Sequence, residues 1–590
     1  MVVTSRWHAL VRSVAPWRAV LAVTAASLFL RVFDLAGRVA HWDEGRVGWW
    51  VLKAAETGQW QYRPIIHGPF IQHTARLSTT LLGPSDFSLR LPVALVGGLL
   101  PLAALLFYRS LATRETVALA AVLAVDPLLL YYGRFFRSDL PVAAAALVTL
   151  GCLLRLRQTG RRRWLVAAAC AFALALTMKE NALLYPLSWL GAGALTVAWL
   201  RWRGEWSSNA QSLRAISGRF DARTLLRRWG PATMAAVISG LSILVLFYAP
   251  RSPTPGTLGL SQALADPSRL PALVGEATLG SWGRLSETWI GGRSHRYAPY
   301  LAHYLYVLTT GSGGVAVLAV VGAIEGRDRP FVVFCTLWGL SAVAGYPYAA
   351  DIKAPWLVVH AVVPLAVPAA VGGVALIEEC RRRAGAIASR SGGVETVGQA
   401  LGTVDGRRAV MFALVLTGAV GQVVVMGVGA NYTHPTDRQL IIAHGAQPGG
   451  DWRPVLERID EVSATNPSGE ADIAFYGPLA GPDGSANDHR GAGWFRRQPL
   501  SWYVESHDLT AINVHSPTDL EDPPPVVVGM PANRSTLDSA LPGYRRVERA
   551  IFRHGQDTTY NLLGYEKQIR GQAFLVYIEG TDRPARSAGG

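Results

Sequence analysis

Charge is scarce in this sequence: Asp, Glu, Lys and Arg make up 16% of its 590 residues, against about 25% in ordinary soluble domains. That shortage excludes a purely water-soluble globule. Only four cysteines occur, Cys152, Cys170, Cys335 and Cys380. All lie in or at the ends of apolar runs, so neither a disulfide framework nor a cysteine metal site is expected. The sequence has no Walker loop and no dinucleotide fingerprint, and no nucleotide cofactor is expected. Also missing are a repeat of about 20–50 residues and the inverted duplication of many secondary transporters. Lysine is rarest of all: Lys53, Lys179, Lys353 and Lys567 stand beside 52 arginines.

Apolar length is what the chain has in abundance. Runs recur near 17–33, 90–108, 116–132, 141–154, 164–178, 182–200, 231–249, 301–324, 330–346, 355–377 and 409–428. Most match the roughly 20 residues needed to cross about 30 Å of hydrocarbon. They predict a mainly α, polytopic bundle of about 11 spans. No small-residue cleavage site follows the first run, which therefore reads as a retained helix. With the N-terminus in the cytoplasm, the inside segments hold 25 Arg and no Lys in 98 residues, and the opposite loops 14 Lys+Arg in 128. This positive-inside bias predicts a multi-pass plasma-membrane protein. It also explains the net charge of +15 without a nucleic-acid partner. The inside segments 201–229 and 378–408 read as flexible or surface-lying loops.

Beyond the last span the composition turns polar. "ADIAFYG" (471–477), "PVVVGM" (525–530) and "AFLVYIEG" (573–580) are strand-like, and "DWRPVLERIDEV" (451–462) has helical spacing with Asp451 placed to cap it. The expected division is a transmembrane domain, 1–430, and an extracytoplasmic α/β domain, 431–590. Asn431-Tyr-Thr433 and Asn533-Arg-Ser535 fit the N-glycosylation pattern.

With this topology, polar clusters from five parts of the chain fall on the outer face: "HWDEGR" (41–46), "YRPIIHGPF" (62–70), "GRFFRSDLP" (133–141), "TMKENALLYP" (177–186) and "YAADIKAPW" (348–356). Ionisable groups at a helical bundle are costly unless paired, hydrated or used, and confinement to one side suits a shared cavity. Two of the four lysines stand in these clusters, and a compact ammonium suits phosphate as a point charge. Each cluster also has an ordinary explanation. Asp43 and Glu44 are then loop acids, Asp139 a helix cap, and Lys179–Glu180 a snorkelling pair. His67 and His73 are then satisfied loop histidines, and Tyr131, Tyr132, Trp49, Trp50 and Trp356 interfacial belt aromatics.

Taken together, Asp43-Glu44, "YRPIIHGPF", "FFRSDLPVAAAA", "KENALLYP" and "KAPWLVVH", in that order, resemble the C-type (GT-C) membrane glycosyltransferases over about residues 15–380. With "HWDEG", "HGPF" and a trailing "PLSWYV", the sequence is similar more narrowly to the prokaryotic family labelled flippase-activity-associated protein of archaeal N-glycosylation. The resemblance implies sugar transfer from a polyprenyl-phosphate donor to a glycan, lipid or protein acceptor. It makes Asp43 the general base, with Glu44 supporting it. It gives Arg137, Lys179 and Lys353 the leaving phosphate, and Arg46 and His67 further substrate contacts. Glu44 and Asp139 either bind a divalent cation or orient Arg46 and Arg137. There is no Trp-Trp-Asp-Tyr-Gly run, which argues against transfer of a whole oligosaccharide to asparagine, and no tight DxD. Two other readings fit the same residues: a lipid-linked-sugar flippase or its accessory, and a degenerate scaffold whose outer domain binds a partner.

Overall fold

The computed structural model describes residues 16–63, 67–204, 222–252, 258–289, 296–350, 352–390, 404–436, 442, 447–481, 491–552 and 571–580. The N-terminal 15 residues, Asp351, Lys567, residues 64–66 of "YRPIIHGPF" and much of both inside loops (205–221 and 391–403) lie outside them. The chain forms two compact units. The first comprises Met1–Phe33, Trp60–Ile71 and Val93–Thr433, the second Asp34–Gln59, Gln72–Pro92 and His434–Gly590.

The main elements, in chain order, begin with α1 (Pro16–Val32), α2 (Trp42–Thr57), α3 (Pro69–Leu82), α4 (Asp86–Leu99), α5 (Thr113–Val125) and α6 (Pro127–Tyr132). They continue with α7 (Asp139–Thr159), α8 (Arg163–Met178), α9 (Leu184–Trp202), α10 (Ala222–Tyr248), α11 (Tyr297–Glu325), α12 (Pro330–Ala349), α13 (Val359–Arg390) and α14 (Val404–Val428). Every one of the eleven apolar runs is helical. In hydrocarbon the backbone must satisfy its own hydrogen bonds, and a helix does so within one segment. Among the described residues, eight helices are long and apolar enough to cross a membrane. The other three runs are shorter: α1 has 17 residues, α8 has 16, and the run 116–132 breaks at Asp126 into α5 and α6. At that break the Asp126 carboxylate accepts the Leu129 N–H (3.0 Å) and the Ser312 hydroxyl (2.9 Å). Buried Arg31 donates to the Ala124 carbonyl left over at the end of α5 (2.9 Å).

In the second unit follow α15 (Arg453–Ser463), β1 (Ile473–Tyr476), α16 (Leu500–Ser506), β2 (Ala511–Val514), β3 (Val526–Gly529), α17 (Arg534–Ala540), β4 (Tyr544–Phe552) and β5 (Gly571–Glu579). The sheet order is β2-β1-β3-β5-β4, with β2, β1 and β3 parallel and β5 antiparallel to both β3 and β4. Central β1 and β3 are buried along their whole length, as their uninterrupted apolar sequences require. One face packs Ala474, Tyr476, Val527, Leu575 and Tyr577 against Leu537 and Leu541 at α17. Amphipathic α15 buries Val455, Leu456, Ile459 and Val462, and the Asp451 carboxylate accepts the Arg453 N–H at its start (3.1 Å). The acidic helix α2 and the start of α4 belong to this same unit. Asn431, in the first unit, is buried and its amide donates to the Gly427 carbonyl. That burial is at odds with glycosylation of the first sequon.

Candidate active site

The candidate residues occupy two clusters, one in each unit. In the second unit the sequence "HWDE" sets the helix start reciprocally. The His41 Nδ1 accepts the Asp43 N–H (3.0 Å), and Glu44 Oε2 accepts the His41 N–H (2.8 Å). Asp43 lies in the first turn and is half-buried; Glu44 is fully buried. Arg90 donates Nε and Nη2 to the two oxygens of Glu44, each at 2.9 Å. Arg38 approaches both from its own side at 3.0 Å. Two planar forks on one carboxylate make a buried, charge-assisted clamp. Burial alone would raise the Glu44 pKa, yet the charges of Arg38 and Arg90 and their hydrogen bonds hold it well below the usual carboxylate range. Arg46, one turn beyond Asp43, lies over the rings of Trp42 (5.4 Å) and Phe495 (4.9 Å). Burial lowers its pKa, and the charge of Asp43 opposes that shift.

In the first unit four sequence clusters meet. Gly68 donates its N–H to the Met178 carbonyl (3.0 Å), and a Cβ on Gly68 would lie 2.3 Å from the Thr177 carbonyl oxygen. Only glycine permits this approach, which seats "HGPF" against "TMKEN". Neighbouring His67 is buried, its ring 6.1 Å from that of Phe136. Asp139 begins α7 with no side-chain exposure; Oδ1 accepts from Lys179 Nζ (2.7 Å) and Oδ2 from Arg137 Nε (3.3 Å). Arg137 also stands 3.4 Å over the ring of Trp356. Lys353 lies on the turn before Trp356. That turn is tied down by Tyr300, whose hydroxyl donates to the Ile352 carbonyl (2.5 Å) and accepts the Ala354 N–H (3.3 Å). Among the described residues Lys353 has no ion-pair or hydrogen-bond partner.

Several ordinary explanations give way to this geometry. Lys179 does not pair with Glu180: it binds Asp139, and Glu180 accepts the hydroxyl of Tyr62. The Asp139 carboxylate is engaged by cations and does not act as a simple cap. Tyr131, Tyr132, Trp49 and Trp356 are buried, which removes these four from an interfacial belt, whereas Trp50 is only partly buried. Trp356 carries Arg137, and Trp49 packs edge-on against Trp494 (5.2 Å).

Sequence reasoning missed Arg38, Arg90 and His360. The His360 Nε2 lies 3.4 Å from Asp139 Oδ1; its Nδ1 meets the Tyr185 hydroxyl at 2.6 Å, and Tyr346 stacks on its ring at 4.4 Å. A lone Arg or His inside an apolar run must find a partner, and that signal was available at both Arg90 and His360.

A divalent cation does not fit Glu44 or Asp139. Each carboxylate already has both oxygens on cationic donors, whereas such an ion needs a shell of oxygen ligands. Among the described residues no three His, Cys, Asp or Glu side chains converge into another site.

Residues 66–216 match the family described as dolichyl-phosphate-mannose-protein mannosyltransferase. Residues 452–562 match the one described as Agl23 flippase-associated protein C-terminal domain. No curated protein matches the chain in sequence. Among solved structures the chain is similar to ArnT from Cupriavidus metallidurans in the apo state, with a TM-score of 0.51 and 16% identity, covering 97% of this chain and 98% of that one. The same protein bound to undecaprenyl phosphate gives a TM-score of 0.51 at 14% identity, covering 94% and 97%. The archaeal oligosaccharyltransferase AglB from Archaeoglobus fulgidus, in complex with an inhibitory peptide and a dolichol-phosphate, gives 0.45 at 13% identity, covering 89% and 70%. The chain thus has a multi-span fold like that of ArnT, with one region similar to the mannosyltransferases and a C-terminal region similar to the Agl23 flippase-associated domain.

Proposed function

We propose that this chain, with its GT-C membrane-glycosyltransferase fold, moves a sugar from a polyprenyl-phosphate carrier to a glycan, lipid or protein acceptor at the outer face. One observation carries the reading: the buried cations Arg137 and Lys179 share a single carboxylate, Asp139. Cations fixed in a dry site stabilise charge that develops on a departing phosphate without having to reorganise. The undecaprenyl phosphate bound to ArnT and the lipid-phosphate donor in the mannosyltransferase description support the carrier class.

On this reading Asp43 accepts the proton of the acceptor hydroxyl as its oxygen attacks the anomeric carbon. The bond from that carbon to the phosphate oxygen breaks. Polyprenyl phosphate leaves with its charge met by Arg137, Lys179 and Lys353, with Arg46 and His67 as further substrate contacts. Glu44 is a poor base, because two guanidiniums hold it ionised, and its role is to position the helix. No step runs through a metal ion. The cytoplasmic N-terminus and outward C-terminal domain rest on the arginine bias of the loops.

The flippase-associated match over 452–562 favours a second reading, passage of a lipid-linked sugar across the membrane without a new bond. Vesicles containing the protein and a labelled polyprenyl-phosphate sugar separate the two. A product with the mass of a new glycoside supports transfer. Label reaching the second leaflet with no new mass supports translocation.

A further inference from the structure

Residues about 460 positions away in sequence grip the turn that carries Asp43. The Tyr503 hydroxyl accepts the Ala40 N–H (2.7 Å) and donates to Asp86 Oδ2 (2.8 Å). The indole N–H of Trp502 donates to Asp86 Oδ1 (2.9 Å), so both oxygens of that carboxylate are fixed. One turn along α4, Arg90 forks onto Glu44 and spends its remaining nitrogen on the carbonyls of Leu35 (3.0 Å) and Arg38 (2.6 Å). Gln447 donates to the Val39 carbonyl (3.1 Å) and accepts from Arg38.

Packing repeats the message. A Cβ at Gly45 would lie 2.6 Å from Pro499, and one at Gly48 would lie 2.7 Å from the Trp502 ring. The residues on both sides of Asp43, at 40, 44, 45 and 48, are therefore held directly or through Asp86 and Arg90 by the "PLSWYV" segment. That is more restraint than an exposed loop needs, and it converges on the start of one helix.

We infer that Tyr503 and Trp502 are positioning residues for proton transfer: through Asp86, Arg90 and Glu44 they hold the first turn of α2 so that Asp43 meets the acceptor hydroxyl. This makes the C-terminal domain a working part of the reaction. The inference rests on the reading of Asp43 as the base. Misplacement of a reacting group by about 1 Å can cost about 10²-fold in rate, so loss of one tether is expected to show in turnover before it shows in binding.

The test uses the full-length chain with Tyr503→Phe, which keeps the ring and removes the hydroxyl, and Asp86→Asn as a second variant should the first fold poorly. Three quantities are read: kcat and KM for the polyprenyl-phosphate sugar, per folded molecule, and amide hydrogen exchange over residues 40–48. The expected result is a fall in kcat of tenfold or more, an unchanged KM and faster exchange in that segment. Unchanged exchange overturns the tether whatever the rate does. Faster exchange with unchanged kcat overturns its role in the reaction and leaves a purely structural contact. Asp43→Asn is run alongside: full activity in that variant removes the base and with it this positioning role, while exchange in the tether variants still decides whether the tether exists.

Discussion

Lys179 Nζ lies 2.7 Å from Oδ1 of Asp139, and neither side chain has more than a few per cent of its surface exposed. The lysine reaches across from the end of α8 to the first turn of α7, joining "MKEN" to "RSDLP". Removing one partner of such a pair leaves a buried charge unmatched, at a cost of about 3–5 kcal/mol.

Lys179→Met is therefore expected to lower both the melting temperature in detergent and the rate of sugar transfer. Lys179→Arg should recover part of the stability and little of the rate, because a planar fork does not reproduce a compact ammonium. Melting curves and initial rates on the same preparations check both.

Lys353 should behave in the opposite way. It has no ion-pair or hydrogen-bond partner among the described residues, so Lys353→Met is expected to leave the melting temperature unchanged. Loss of a group that meets charge in the transition state typically costs about 10²–10³ in kcat, and a fall of that order is the expected outcome. A rate equal to the parent protein's would take Lys353 out of the phosphate contacts.

The Gly68 contact gives a steric prediction. Gly68→Ala places a methyl group 2.3 Å from a backbone oxygen, and overpacking of this kind costs about 1–3 kcal/mol. Melting should fall accordingly, and activity with it, because the same segment carries His67.

The pH dependence follows from Glu44. Its folded pKa is held below the ordinary value, so its stabilising contribution is complete above about pH 4.3 and is lost only as the pH falls towards the lower folded value. The difference in melting temperature between the parent protein and Glu44→Gln should be constant from about pH 5 to about pH 8 and should shrink below about pH 4. A difference that changes between pH 5 and 8 would contradict the clamp by Arg38 and Arg90.

The spans were readable because a hydrocarbon solvent imposes both length and composition on a helix. Strands β1, β3 and β5 were readable for a related reason: they lie inside the sheet and carry near-continuous apolar runs. The two edge strands were not. "AINV" is short, and "YRRVERAIF" has its apolar residues interrupted by three arginines and a glutamate, charges of the kind that discourage further pairing at a sheet edge.

In the site, "RSDLP" and "MKEN" could be assigned to one face from topology, but their partners could not. Asp139 meets His360 at a separation of 221 residues, and Ala40 meets Tyr503 at 463. No local pattern encodes such pairings. The glycines at 45, 48 and 68 likewise gave no warning in sequence that each marks a close approach to another segment.

In the proposed reaction Asp43 takes the proton of the acceptor. The most direct measurement compares the parent protein with Asp43→Asn, at matched amounts of folded protein, for transfer from a labelled polyprenyl-phosphate sugar, with the product identified by mass. The expected result is loss of product with donor binding retained. Product formed by Asp43→Asn at the parent rate would contradict it.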